Sequence, residues 1–173
     1  MKNTNVRKTA LCAILCAIAL TIFVLEAQIP VPVPIPGIKL GLSNIITLFA
    51  LLYLTPKDTF IILLGRILLG ALFSGNPSVL IYSLSGGVIC LLFEILLLKL
   101  LSKKFIIEIS VLGAMIHNVV QLLCAAAVTA SFSVFIYLPP LIVAGAVCGL
   151  FCGICIFFAD KKLNGFINKF IKK

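Results

Sequence analysis

Apolar residues fill most of the chain, and the polar positions that interrupt them come in short clusters. Taking those clusters as boundaries gives six apolar runs, 9–26, 40–54, 59–73, 78–99, 105–130 and 134–159. A helix needs about 20 mostly apolar residues to cross the hydrocarbon core of a bilayer. The second and third runs hold only fifteen residues each, about 22 Å of helix against a core of about 30 Å, and short spans of this kind often border a cavity. The pattern predicts an all-α membrane protein, a six-transmembrane-helix bundle formed by residues 1–173 as one integral membrane domain. A basic C-terminal tail over 160–173 follows the last run.

One stretch breaks the pattern. From Glu26 to Asn44 the chain carries prolines at 30, 32, 34 and 36, which remove amide donors and hold each preceding residue extended. The segment therefore reads as polyproline-like chain ended by a turn at Pro36-Gly37. Unpaired backbone groups are excluded from lipid, so it lies at the interface or folds back over a protein cavity. Its ends bring Glu26, Lys39 and Asn44 to one membrane surface, where the loop is predicted to form the lid or wall of a binding site.

Composition agrees with the spans. At 62% hydrophobic and 11% charged residues, with a mean hydropathy of +1.29, the chain is no ordinary soluble domain. The net charge of +9 points first to nucleic acid, but its placement does not. Lys2, Arg7 and Lys8 precede the first run, Lys57 follows the second, and Lys99, Lys103 and Lys104 follow the fourth; Lys161, Lys162, Lys169, Lys172 and Lys173 follow the sixth. Twelve of the fourteen cations thus share one side, which predicts cytoplasmic termini and a multi-pass protein of the cytoplasmic membrane. Topology and anionic lipid account for this charge without nucleic acid. Residues 1–28 also resemble a signal peptide, but Leu25-Glu26-Ala27 is not a small-x-small cleavage site, and cleavage would leave five spans. The seven cysteines, at 12, 16, 90, 124, 148, 152 and 155, all lie inside apolar runs. Cys152-Gly-Ile-Cys155 has metal or redox spacing but no histidine or second pair nearby, so the cysteines read as buried small hydrophobes, with no metal and no cofactor.

Within so apolar a chain the interior polar groups carry the chemistry. Arg66 lies eight residues after Asp58, about 12 Å above the inner surface, where an arginine costs about 2.5–3.5 kcal/mol and must face the bundle. Arg66, Gly70 and Ser74 share a face, which leaves open space above the guanidinium. Two readings stand: an ion pair with Glu26 or Glu94, or a contact to ligand. Glu94, seventeen residues after Pro77, is placed near the inner boundary beside Lys99 and outside the site. His117 shares a helix face with Gly113 and Gln121, with Asn118 adjacent, which gives either a satisfied core histidine or a polar pocket. Ala10, Ala13 and Ala17 make a small-residue stripe for close helix approach, internal or to a separate protein, and Gly145, Gly149 and Gly153 make another. Ser74-Gly-Asn-Pro77 is a turn at the outer surface, and Pro139-Pro140 kinks or delays the last helix. Leu163, Phe166, Ile167 and Phe170 have the spacing of an interfacial helix.

The six short spans, the Ala-xxx-Ala first helix and the proline-rich loop running into Pro36-Gly-Ile-Lys-Leu-Gly-Leu-Ser-Asn44 resemble the Gx transporter family, also called heptaprenyl diphosphate synthase component I. That family looks like a relative of the substrate-binding S components of energy-coupling factor vitamin transporters. The resemblance covers nearly the whole chain and is sharpest over residues 30–49. It implies a ligand in the outer half under the first external loop, and docking of Ala13 and Ala17 on a transmembrane coupling protein served by ATPase subunits. The enzyme label fits the residues less well. Prenyl diphosphate synthases hold magnesium through paired aspartate-rich motifs, whereas this chain has only Asp58 and Asp160. It has no Walker A sequence either, so no catalytic residue is assigned.

Together these readings predict a substrate-binding membrane component for uptake of a small, vitamin-like molecule. Glu26, Lys39, Asn44, Arg66, His117, Asn118 and Gln121 are the expected ligand contacts. Arg66 and Lys39 against Glu26 leave the outer half modestly positive, which implies an anionic or zwitterionic ligand. The alternative is a non-catalytic membrane subunit for isoprenoid or quinone synthesis.

Overall fold

The computed structural model describes residues 2–29, 38–75 and 77–172. The expected polyproline segment and the Pro36-Gly37 turn lie outside the described residues. Those described form six α-helices and no strand. They are α1 (Lys2–Glu26), α2 (Asn44–Tyr53), α3 (Pro56–Ser74), α4 (Pro77–Leu100), α5 (Ile106–Thr129) and α6 (Leu138–Lys172), with short 3-10 turns at Lys103–Phe105 and Phe132–Tyr137.

The boundaries differ from the apolar runs where capping chemistry or an interior turn intervenes. Helix α3 begins at Pro56 rather than 59, because Thr55 and Asp58 form a capping box: the Thr55 hydroxyl accepts from the Asp58 amide, and the Asp58 carboxylate accepts from the Thr55 amide at 3.1 Å. Helix α3 is therefore 19 residues long. Asp58 also pairs with Lys8 at 2.7 Å, so the starts of α1 and α3 lie at one end of the bundle.

Helix α2 is shorter than expected. A turn at Gly41, in which the Asn44 amide donates to the Gly41 carbonyl at 2.9 Å, occupies the residues that the apolar run assigned to helix. Its 10 residues reach about 15 Å, half the hydrocarbon core. Helix α6 is longer than expected, with Pro139 and Pro140 in its first turn and the basic tail continuing it for 35 residues in all. Rather than forming a separate interfacial helix, the tail packs back on the bundle: Ile167 joins the inner core cluster and Arg7 stacks 5.9 Å from the Phe170 ring.

Four of these segments are long and apolar enough to cross a membrane: Val6–Glu26, Pro77–Leu100, Lys103–Thr129 and Phe132–Ile167. Large apolar side chains such as Leu72, Phe73, Leu92 and Val143 cover the exterior, a surface that suits lipid and not water. The chain is a multi-pass membrane protein.

The small-residue row of α6 explains its close seat on α5. A Cβ at Gly149 would stand 2.6 Å from Val111 Cα, and one at Gly153 would stand 2.8 Å from Ile107 Cα, so backbone meets backbone there. Gly149→Val is expected to lower thermal stability in detergent by about 3 kcal/mol or more, since neither backbone can move aside. Gly165→Ala, at an exposed position on the same helix with open space around it, is expected to gain up to about 1 kcal/mol.

Candidate ligand-binding site

At its C-terminal end α1 presents Phe23 and Glu26 on one face, three residues apart. Glu26 ends its helix yet is only 3% exposed, because the chain returns beneath it. Its carboxylate accepts from the Gly41 amide at 2.5 Å and from the Ser43 amide at 3.4 Å. Charge-assisted bonds of this kind are about twice as strong as neutral ones. Gly41 adopts a φ of +85°, and a Cβ there would stand 2.8 Å from the His117 ring, so both conformation and space call for glycine.

The returning segment positions acceptors for Arg66. One terminal nitrogen of the guanidinium donates to the Ser43 hydroxyl and the other to Asn44 Oδ1 at 3.2 Å, while Nε has no partner. Lys39 is anchored by its backbone, whose amide donates to Gln121 Oε1 at 3.1 Å. Its ammonium lies 3.3 Å from the Phe23 ring centroid with no hydrogen-bond partner, and the Arg66 guanidinium lies 5.8 Å from the same ring. The aromatic face thus stabilises two buried cations. Neither is in an ion pair, and the one ion pair among the described residues is Lys8–Asp58.

On α5, Gln121 Nε2 lies 3.0 Å from His117 Nε2. With the Gln121 oxygen committed to the Lys39 amide, its nitrogen donates and His117 accepts, which puts the histidine proton on Nδ1. That nitrogen faces the backbone of α4 at Gly86, where a Cβ would come within 2.9 Å.

Six of the seven expected contacts, Glu26, Lys39, Asn44, Arg66, His117 and Gln121, therefore stand in one buried network. The seventh is directed elsewhere. Asn118 Nδ2 donates to the Leu141 carbonyl of α6 at 2.9 Å, so this residue ties α5 to α6. Two further expectations are corrected. The space above the Arg66 guanidinium is filled, since a Cβ at Gly70 would collide with the Phe23 ring. Glu94 is not neutralised by Lys99 at the inner boundary: Lys99 is exposed, whereas Glu94 is 2% exposed inside the bundle.

The site also uses residues that the apolar pattern did not single out. Phe23 looks like any lipid-facing phenylalanine, and only its spacing from Glu26 marks it. Ser43 sits beside Asn44 and was legible by adjacency. The side chains of the network are buried, and among the described residues the adjoining cavity, lined by Gly41, Asn44, Glu94 and Ser110 among others, measures about 10 Å³. A groove of about 490 Å³ between α1, α2 and α6 is lined only by apolar side chains and cysteine, so it offers nothing to orient a charged ligand. Among the described residues no three His, Cys, Asp or Glu side chains assemble as metal ligands.

Comparison with known families adds one finding. The family model for heptaprenyl diphosphate synthase component I matches residues 15–158. The chain belongs to that family. The matched region contains every residue of the network from Phe23 to Gln121 and ends before the basic tail. No curated protein and no solved structure matches the chain.

Gly41→Ala tests how tightly the returning segment is held. It is expected to cost about 1–3 kcal/mol of strain beyond the collision with His117, whereas Gly75→Ala, also at positive φ but in open space, should cost only the strain. Thermal unfolding of both variants in detergent measures the difference.

Proposed function

We propose that this family member is the substrate-binding membrane component of a small-molecule uptake system, that all six helices cross or enter the cytoplasmic membrane with both termini inside, and that partner subunits supply the energy. The observation that carries the reading is the bonding of Arg66. Its partners are the neutral Ser43 and Asn44, and both oxygens of the nearby carboxylate, Glu26, are taken by backbone amides. Intramembrane cations without a carboxylate partner are costly and mark functional sites. Lys39 Nζ and Arg66 Nε are buried donors without hydrogen-bond partners, and a small anionic or zwitterionic ligand would satisfy both. Because the network is buried, the ligand enters when residues 38–43 move off α5.

Two features support dependence on partners. Ala13 and Ala17 are exposed on the outside of α1, where they allow another helix to approach closely, instead of packing internally. The paucity of interior carboxylates and the lack of a Walker A sequence give the chain no catalytic machinery of its own in this reading.

A second reading follows from the name of the family: a non-catalytic membrane subunit of heptaprenyl diphosphate synthesis. Co-purification separates the two, with coupling and ATPase subunits expected for the first and a soluble prenyltransferase for the second. Ala13→Leu or Ala17→Leu is expected to abolish co-purification with coupling subunits and uptake, while thermal stability in detergent stays at the wild-type value. Loss of folding would assign the stripe to internal packing.

Arg66 supplies the decisive test. Arg66→Gln is expected to keep most thermal stability and to lose the small molecule that native mass spectrometry detects on the purified wild type; Arg66→Lys should retain it only in part, because the two-pronged guanidinium is gone. A structural ion pair behaves differently, since stranding its partner costs about 3–5 kcal/mol. If Arg66→Gln unfolds far below wild type and Glu26→Gln rescues it, the arginine is structural and the site is wrong.

A further inference from the structure

Glu94 is an acidic side chain of the bundle interior that the ligand network does not use. It sits on α4 against Gly113 of α5, whose missing side chain makes its place: a Cβ at Gly113 would stand 2.8 Å from Glu94 Oε1. Oε1 lies 3.6 Å from the Cys90 sulfur, whose single proton is shared between it and the nearer Gly113 carbonyl at 3.3 Å. Oε2 is buried with no hydrogen-bond partner, and Glu94 lines the cavity of about 10 Å³ that Asn44 and Ser110 also line.

The groups around Glu94 offer no counter-charge. Its own helix contributes Cys90, α2 contributes Asn44, α5 contributes Ser110 and Gly113, and α6 contributes Cys148 and Cys152. Arg66 connects to it only at a distance, through Asn44 Oδ1 and then through the 3.9 Å contact of Asn44 Nδ2 with the Cys90 sulfur. A carboxylate buried with no cation and half its oxygen valence unsatisfied is the arrangement that a low-dielectric interior penalises most. A neutral carboxylic acid avoids it, provided that its hydroxyl finds an acceptor. The cavity holds about one water, and a buried water needs two to four polar partners, which Glu94, Asn44 and Ser110 supply.

We propose that Glu94 is a proton-binding site in the centre of the bundle, held as the neutral acid with its hydroxyl at Oε2 donating to a single water in this cavity. Cys90 and Asn44 join the site to Arg66, so the proton and the contents of the neighbouring network bear on each other through one chain of bonds. The proposal does not depend on the ligand reading, and its test uses no ligand.

The measurement is infrared spectroscopy of the purified full chain in lipid at neutral pH, in H₂O and in D₂O. Wild type is expected to show a protonated-carboxyl C=O band that shifts in D₂O and moves on ¹³C-glutamate labelling, which separates it from Asp58 and Asp160. Glu94→Gln should remove the whole band. If that variant does not fold, Glu26→Gln serves instead and must retain the band. The proposal is overturned if wild type shows no such band, or if the band survives Glu94→Gln or disappears in Glu26→Gln.

Discussion

The buried carboxylate of Glu26 is the constraint on which the polar interior depends. A helix end in a membrane protein normally meets the headgroups, but here two amides of the returning chain, at Gly41 and Ser43, draw it inward. Those two bonds fix the path of residues 38–43. That path presents Ser43 and Asn44 to Arg66, lays the Lys39 backbone on Gln121, and presses Gly41 against His117. Three helices and one irregular segment are thus coupled through a single side chain, in a medium where an unpaired backbone group costs several kcal/mol.

Much of the fold was legible because lipid imposes a simple rule. Continuous apolar runs had to be spans or cores, and the polar residues within them had to face inward, which is why Arg66, His117 and Gln121 were found from spacing alone. What was not legible depends on contacts distant in sequence or on backbone geometry. The start of α2 is set by a positive φ at Gly41 and by bonds to Glu26, fifteen residues away, so the apolar run overshot it. Phe23 is invisible to a polarity pattern because an apolar residue inside the bundle looks like one facing lipid. Glu94 was paired with Lys99 by spacing along α4, whereas its environment is decided across the helix by the gap at Gly113. Asn118 shared a face with the site within the angular width of a helix side, and only the position of the Leu141 carbonyl shows that it turns towards α6.

The two small-residue stripes illustrate the same limit. Gly145, Gly149 and Gly153 on α6 and Ala13 and Ala17 on α1 carry equivalent patterns, and each permits close helix approach. The glycines are closed over by the backbone of α5, and the alanines are left on the exterior. Spacing announces the capacity for contact, and only the packing order of the helices determines whether the chain itself uses it.

Helix α6 has a mechanical consequence. As one unbroken helix of 35 residues it is a rod about 52 Å long, with its last turns beyond the hydrocarbon core. Its basic end rests on α1 near Arg7, and its proline end lies where Leu141 receives Asn118. A rod of that length pivoting by about 5° on Gly149, the middle of its glycine seat, carries the basic end roughly 3 Å and the proline end roughly 1.4 Å in the opposite sense. A displacement at the basic end is therefore delivered, about halved, to the far side of the bundle, with α6 acting as a lever and α5 as its fulcrum.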